Sequence, residues 1–117
     1  MHEGNFTQQI VDAILKELGR HPKYRFKTVK VNVGEVYHLE PESVKMHYAL
    51  LTKGTKLEGT ELELVEVKAQ VFCWQCNQTG PVEDHHFLMC NFCNATDVKL
   101  VSGKEITIES LEMEHEF

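Results

Sequence analysis

The sequence predicts an α+β fold in which two helices pack on a small, mainly antiparallel β-sheet, with a small four-cysteine domain inserted before the last strands. Three observations support this fold class. Two stretches repeat apolar residues at helical spacing, several others alternate as strands do, and two Cys-x-x-Cys pairs lie close together late in the chain. The 117 residues, 42% of them hydrophobic, suffice for one domain with a small appendage.

The first predicted element is an amphipathic helix. Its buried stripe is expected to comprise Phe6, Ile10, Ala13, Ile14, Leu15 and Leu18. Asn5 together with Gln8 is predicted to cap the start of this helix, and Gly19 is predicted to follow its end. Because Gly4 precedes the cap, Met1–Glu3 is expected to form a short mobile arm.

A strand and a second helix follow. The stretch KTVKVNVG places Val29, Val31 and Val33 on one face and predicts a β-strand. Pro41 fits the first position of a helix. The apolar stripe of that helix is predicted to comprise Val44, Tyr48 and Leu51, and Gly54 is predicted to end the helix.

The second half of the chain is predicted to be β-structure around the cysteines. Leu62–Phe72 reads as one strand, with a bulge or full coverage where its alternation slips between Leu64 and Val65. The stretches DVKLV and EITIESLEM predict further strands on either side of a Ser-Gly-Lys turn. We therefore divide the chain into an α/β domain of residues 1–70 and 96–117 and a zinc-binding domain of residues 71–95.

That zinc assignment rests on the spacing Cys-x2-Cys-x13-Cys-x2-Cys, formed by Cys73, Cys76, Cys90 and Cys93. Each pair brings two thiolates onto one tight turn, and two facing turns complete a tetrahedron around Zn(II). A rubredoxin-like iron site and a redox-switching disulfide pair are the alternatives. Four thiolates leave no open coordination position, so the spacing indicates a structural zinc ribbon rather than a catalytic zinc site.

Charge and motifs narrow the function classes. The net charge is −6, and residues 71–95 contain no Lys or Arg, which disfavours a nucleic-acid-binding ribbon. No stretch is apolar enough to span a membrane and the N-terminus lacks the pattern of a signal peptide, so a cytoplasmic protein is expected. No phosphate-binding loop, dinucleotide fingerprint or nucleophile motif is present, so an enzyme is not expected. A protein-interaction adaptor and a thiol redox switch remain alternatives.

The N-terminal Met-His-Glu is a second candidate metal site. The α-amine, the amide and imidazole nitrogens of His2, and the amide of Glu3 can surround one ion in a plane. This geometry suits Ni(II) or Cu(II) and is poor for Zn(II). It requires Met1 to be the first residue, which is expected because a residue as large as His2 follows it. The alternative is that His2 is an uncommitted side chain at a chain end.

Several stretches together resemble one family. They are MHE at the start, VNVGEV after the first helix, LTKGTKLEGTELELVEV before the cysteines, the two Cys-x-x-Cys pairs, and LVSGKEITIESLEME near the end. In this order they resemble the HypA/HybF family of hydrogenase nickel-incorporation proteins, over residues 1–114. The resemblance implies a nickel metallochaperone that binds Ni(II) through Met1, His2 and Glu3 and holds structural Zn(II) on the four cysteines.

The resemblance also implies further ligands and partners. Glu40 and His85 become additional candidates for the nickel site. Glu40 also fits as the residue that precedes a helix, and His86 competes with His85 for its role. The implied partners are a HypB-type GTPase nickel chaperone and the large-subunit precursor of [NiFe] hydrogenase, with urease accessory proteins in some bacteria.

Overall fold

The computed structural model describes residues 3–83 and 87–115, with the backbone alone described for residues 3–5. The elements in chain order are α1 (Glu3–Leu18), β1 (Tyr24–Gly34), a 3-10 turn (Glu35–Tyr37), α2 (Pro41–Thr52), β2 (Glu61–Val67), β3 (Gln70–Cys73), β4 (Thr79–Pro81), β5 (Val98–Ser102) and β6 (Ile106–His115). Within these residues the strands form two three-stranded sheets, ordered β2-β1-β6 and β4-β3-β5. Only β2 runs parallel to its neighbour β1. The predicted fold class is therefore confirmed.

The hydrophobic core lies between the two helices and the first sheet. Val29, Val31 and Val33 are fully buried on one face of β1, as the alternating sequence predicts. They pack with the buried side chains of α1 and α2 and with Leu57 and Leu62. No residue of β3, β4 or β5 belongs to this cluster.

The first helix begins earlier than predicted. It starts at Glu3, so the predicted cap residue Asn5 lies inside the helix, and Glu3 belongs to the helix rather than to the predicted arm. Leu15 is 38% exposed, whereas Val11 is buried. Both positions fit helical spacing, but only Val11 belongs to the core cluster that α1 forms with α2 and the first sheet. The predicted end of the helix is confirmed, because the Gly19 N–H donates the last hydrogen bond of the helix to the Leu15 carbonyl at 3.0 Å.

The second helix starts at Pro41 as predicted, but the last residue of its buried face differs from the prediction. Val44 and Tyr48 are buried, while Leu51 is 37% exposed and Thr52 takes the buried position. Four-residue spacing continues from Tyr48 to Thr52, which keeps these side chains on one face of the helix. The Thr52 hydroxyl donates to the Tyr48 carbonyl at 2.8 Å.

The predicted strand Leu62–Phe72 is two strands that belong to different sheets. β2 pairs with β1 in unbroken register from Glu61 to Val67, so the expected bulge is wrong. Full coverage is also wrong, because Val65 and Val67 are 37% and 36% exposed on the face away from the helices. After Val67 the chain leaves the first sheet, and β3 begins the second one at Gln70.

The two sheets meet at a close backbone crossing. Gly103 has a φ of +73°, and a Cβ built on it would lie 2.5 Å from the Ala69 Cα. A Cβ on Gly34 would lie 2.2 Å from the Gly103 carbonyl oxygen. The Ala69 N–H donates to the Glu35 carboxylate at 2.7 Å across the same junction. Glycine at both positions therefore permits an approach that no side chain would allow.

The molecule is elongated, with principal extents of 57 × 24 × 16 Å and a radius of gyration of 17.3 Å. A compact chain of this length would have a radius of gyration of about 13 Å. The second sheet includes Gln70 and β5 as well as the cysteine segment, while the division at residues 71–95 stays a prediction. No helix within the described residues is long and apolar enough to cross a membrane.

Candidate metal centres

The four cysteines converge at the end of the second sheet. Their Sγ atoms all lie within 4.8 Å of one another. The Sγ atoms of Cys73 and Cys93 lie 3.6 Å apart, and so do those of Cys76 and Cys90. Among the residues that the structure describes, this is the one group of three or more potential metal-ligating side chains. The predicted ligand set is thus brought together by the fold.

Both cysteine pairs use the same turn. The Asn77 N–H donates to the Cys73 carbonyl at 2.9 Å, and the Asn94 N–H donates to the Cys90 carbonyl at 3.0 Å. The two asparagines have positive φ values of 57° and 61°. Asparagine tolerates this left-handed conformation better than most residues. The asparagine that directly follows each Cys-x-x-Cys pair is a sequence signal for these turns, and the cysteine spacing alone does not include it.

Backbone groups favour a thiolate at one position of the cluster. The N–H groups of Phe92 and Cys93 both donate to Cys90 Sγ at 3.4 Å. These hydrogen bonds, that of Cys93 foremost, lower the pKa of Cys90 to about 6. Burial, followed by the hydrogen bond to Cys90 Sγ, raises the pKa of Cys76 to about 12. Without a cation, the cluster thus favours negative charge on Cys90 and retains a proton on Cys76.

The geometry fits a four-coordinate thiolate-bound ion. Tetrahedral Zn(II) with bonds of about 2.3 Å to sulfur places neighbouring sulfur atoms about 3.8 Å apart. The observed separations of 3.6 Å are close to this value. They are much longer than the roughly 2.05 Å of a disulfide, and all four cysteines are free. The cluster is therefore suited to zinc with a closed ligand shell, which leaves no position for a substrate.

The predicted nickel ligands are described only in part. Met1, His2 and His85 lie outside the described residues, as does the rival His86. Glu3 is the first residue of α1, and of its atoms only the backbone is described.

Glu40 lies at the start of α2, where its carbonyl accepts the Val44 N–H at 3.0 Å. Its side chain is exposed and makes no capping hydrogen bond. The ring of Phe6 in the first turns of α1 stacks on Tyr37 with centroids 5.4 Å apart. This contact brings the segment that leads to Glu40 beside the beginning of α1.

Comparison with known proteins identifies the family. Residues 1–113 match the family model described as "Hydrogenase/urease nickel incorporation, metallochaperone, hypA". The chain belongs to the HypA family. It is 36% identical over 115 residues to the hydrogenase maturation factor HypA of Caldanaerobacter subterraneus subsp. tengcongensis, with 97% of this chain and all of that protein covered. The factor HybF of Escherichia coli O157:H7 is 27% identical over 114 residues, with the same coverage.

The solved structures agree on the fold. The solution structure of the Ni metallochaperone HypA from Helicobacter pylori superimposes with a TM-score of 0.70 and covers 97% of each chain. Its sequence identity is 18%, so this likeness shows the fold alone. As a HypA family member, the chain is assigned to the nickel metallochaperones of hydrogenase maturation, and its four cysteines form a cluster suited to zinc.

Proposed function

We propose that this HypA family member binds Ni(II) at its N-terminus and delivers it during maturation of [NiFe] hydrogenase. The observation that carries the proposal is the family match over residues 1–113, which includes the N-terminal Met-His-Glu. In this proposal the α-amine of Met1 and the nitrogens of His2 and Glu3 hold nickel in a plane. Urease is a second target to which the same cargo could be delivered.

The start of α1 supports this arrangement. The first four N–H groups of a helix have no partner within the helix. Because α1 begins at Glu3, the amide of Glu3 belongs to this unpaired set. A nickel ion can therefore take amide nitrogens at the arm without breaking the hydrogen bonds of the helix. Ligands at a chain end can also leave one at a time, which suits a carrier that must release its ion.

Glu40 and His85 are proposed as auxiliary ligands that would raise the coordination number above four. The contact between Phe6 and Tyr37 places the approach to Glu40 beside α1 and supports its candidacy. His85, or its neighbour His86, would approach from the zinc-binding part. In this proposal residues 71–95 form that part, and residues 1–70 and 96–117 form the nickel-binding part.

Zinc is proposed as the structural ion on Cys73, Cys76, Cys90 and Cys93. When bound, it supplies a rigid tetrahedral crosslink and no open Lewis-acid position. We further propose a cytoplasmic protein that acts with a HypB-type GTPase and the hydrogenase large-subunit precursor, and that has no catalytic activity of its own. The hydrogenase maturation factors among its relatives support this set of partners.

The decisive experiment is a Ni(II) titration of zinc-loaded protein with an authentic N-terminus. It is compared with His2→Ala and with a form that carries Gly-Ser before Met1. His115→Ala, an exposed histidine at the end of β6, is the matched control. We expect about one nickel per chain in the wild type and the control, and loss of nickel with zinc retained in the other two forms.

Equal nickel binding by all four forms would contradict the N-terminal site and direct attention to His85 and His86. No nickel binding by any form would contradict the carrier role itself. The adaptor or redox-switch alternatives would then be tested by zinc release under mild oxidation.

A further inference from the structure

β2 leaves one long edge of the first sheet unpaired. In the strand order β2-β1-β6 it has a neighbour on one side only. Within residues 3–83 and 87–115, no hydrogen bond joins its backbone to anything other than β1. Its seven residues form a free edge about 23 Å long. A free edge of this kind can accept an additional strand through main-chain hydrogen bonds.

The face of β2 opposite the helices has two different halves. Leu62 and Leu64 point toward the helices, so Glu61, Glu63, Val65 and Val67 share the open face. The first half of this face is therefore acidic and the second half is apolar. We refer to these four residues, together with the free backbone edge, as the β2 edge.

The two carboxylates of the β2 edge have no ionic partner within 4 Å among the described residues. Lys30 stands opposite Glu63 in the register, but its Nζ lies 3.4 Å from Glu109 on β6. Lys27 likewise approaches Glu112 of β6, at 3.6 Å. The cations of β1 therefore compensate the acidic residues of β6 and leave those of β2 uncompensated.

A cavity borders Val67 of the β2 edge on the side of β1 and β6. It has a volume of about 280 Å³ and lies where the two sheets meet. Its lining includes the exposed valines Val67 and Val101 and the polar or charged residues Asn32, Lys104, Glu105 and Thr107. A space of this size beside exposed valines can receive an aliphatic side chain.

We propose that the β2 edge binds an extended segment of a partner protein as an added strand. The segment carries Lys or Arg opposite Glu61 and Glu63, and aliphatic side chains opposite Val65 and Val67. Main-chain hydrogen bonds provide the general attraction, and the acidic and apolar halves select the sequence. None of the four residues of this surface belongs to the cysteine cluster, and the proposal goes beyond the nickel-carrier proposal.

A second copy of this chain is a poorer occupant of the same edge. Antiparallel pairing of two β2 strands centred on Leu64 would set Glu63 of each copy diagonally across from its equivalent. The two Glu63 carboxylates would thus be diagonal neighbours on one face with no cation between them, which disfavours this pairing. A cationic segment removes this repulsion and neutralises the two carboxylates.

The test uses zinc-loaded protein and two blocked seven-residue peptides. In each peptide, two lysines and two valines alternate with threonine. The lysines precede the valines in the peptide for parallel pairing with β2 and follow them in the peptide for antiparallel pairing. We expect one of them to slow hydrogen exchange of the β2 amides, measured by NMR, and to leave the β6 amides unchanged. The substitutions Glu61→Gln and Glu63→Gln together should weaken its Kd about tenfold at low salt.

Two controls separate strand addition from charge attraction. Glu109→Gln with Glu112→Gln makes the same charge change on the opposite edge strand and should alter Kd less than about twofold. A peptide methylated on alternate backbone nitrogens keeps its charge and should not bind. Equal binding by the methylated peptide, or no protection of β2 by either peptide, would overturn the proposal. Protection that grows with protein concentration alone would identify a second copy as the occupant.

Discussion

Two buried threonines are expected to respond differently to substitution by valine. Thr7 in α1 is fully buried, and its hydroxyl has no partner among the described residues. Thr52 in α2 is equally buried but donates to the Tyr48 carbonyl at 2.8 Å. Burying a hydroxyl without a hydrogen bond costs about 1–3 kcal/mol. Thr7→Val should therefore raise the free energy of unfolding by about 1 kcal/mol, as measured by urea denaturation.

Thr52→Val is the matched control, because it removes a satisfied hydroxyl of the same size. It should leave stability unchanged or lower it by up to about 1 kcal/mol. A stabilising effect of the same size in both variants would show that added apolar surface, rather than the missing partner of Thr7, is responsible.

The thiolate of Cys90 makes zinc loading depend on pH in a defined direction. Its pKa of about 6 lies below the ordinary value, so Cys90 is already largely ionised at pH 7.5. Zinc loading at this pH should therefore release fewer than four protons, and the number should rise as the pH is lowered toward 5. Calorimetry in buffers of different ionisation enthalpy measures the number of protons released per zinc ion. Four protons at pH 7.5 would contradict the role of the Phe92 and Cys93 amides.

The same depressed pKa affects the metal-free protein. A group with a folded-state pKa below its unfolded value stabilises the fold at high pH and loses this contribution as the pH falls through the folded pKa. For Cys90 the loss extends from about pH 9 down through about pH 6. Acid therefore weakens the cysteine turns of the metal-free protein by protonating Cys90.

At the scale of elements, the sequence predicts where helices and strands occur better than how they are placed. The valines of β1 alternate because one face is buried, and local sequence alone reveals this. The choice between Leu15 and Val11 depends on where α2 packs against α1, which periodicity cannot show. The division of residues 61–73 between two sheets depends on partners distant in the chain, and so does the parallel pairing of β2.

The crossing of the two sheets predicts unequal effects for two glycine substitutions. Gly54 and Gly103 both have positive φ, of 81° and 73°. A Cβ at Gly54 meets nothing within 4 Å, whereas one at Gly103 lies 2.5 Å from the Ala69 Cα. Gly54→Ala should cost about 1 kcal/mol from backbone strain, and Gly103→Ala at least about 2 kcal/mol more from the backbone clash. Urea denaturation of zinc-loaded protein measures both, and equal losses would contradict the close crossing.

At the scale of the whole molecule, the zinc cluster is predictable and the interaction surface is not. Cys-x-x-Cys spacing fixes each half of the cluster locally, so the ligand set follows directly from the sequence. The free edge of β2 exists only because the strand order leaves it unpaired, and no local pattern encodes that order. The nickel ligands Met1 and His2 stay a prediction that rests on chemistry and on family membership.

The distribution of apolar contacts predicts that the two ends of the molecule respond differently to zinc removal. The hydrophobic core cluster draws on the helices, the first sheet and Leu57, and it contains no residue of the second sheet. The cysteine segment buries little besides Val71, Cys73 and Cys90. Chelation of zinc should therefore unfold the segment around the cysteines while α1, α2 and the first sheet stay folded.

The measurement is an NMR spectrum of the amides before and after chelation, with hydrogen exchange at the β1 amides as the reference. We expect the signals of residues 71–95 to collapse toward random-coil positions, while β1 keeps at least about a hundredfold protection. Cys93→Ser, which removes the exposed ligand, should reproduce the change without a chelator. Cooperative loss of β1 protection would instead show that the Gly34–Gly103 junction transmits zinc binding into the core, and the molecule would then fold as one unit.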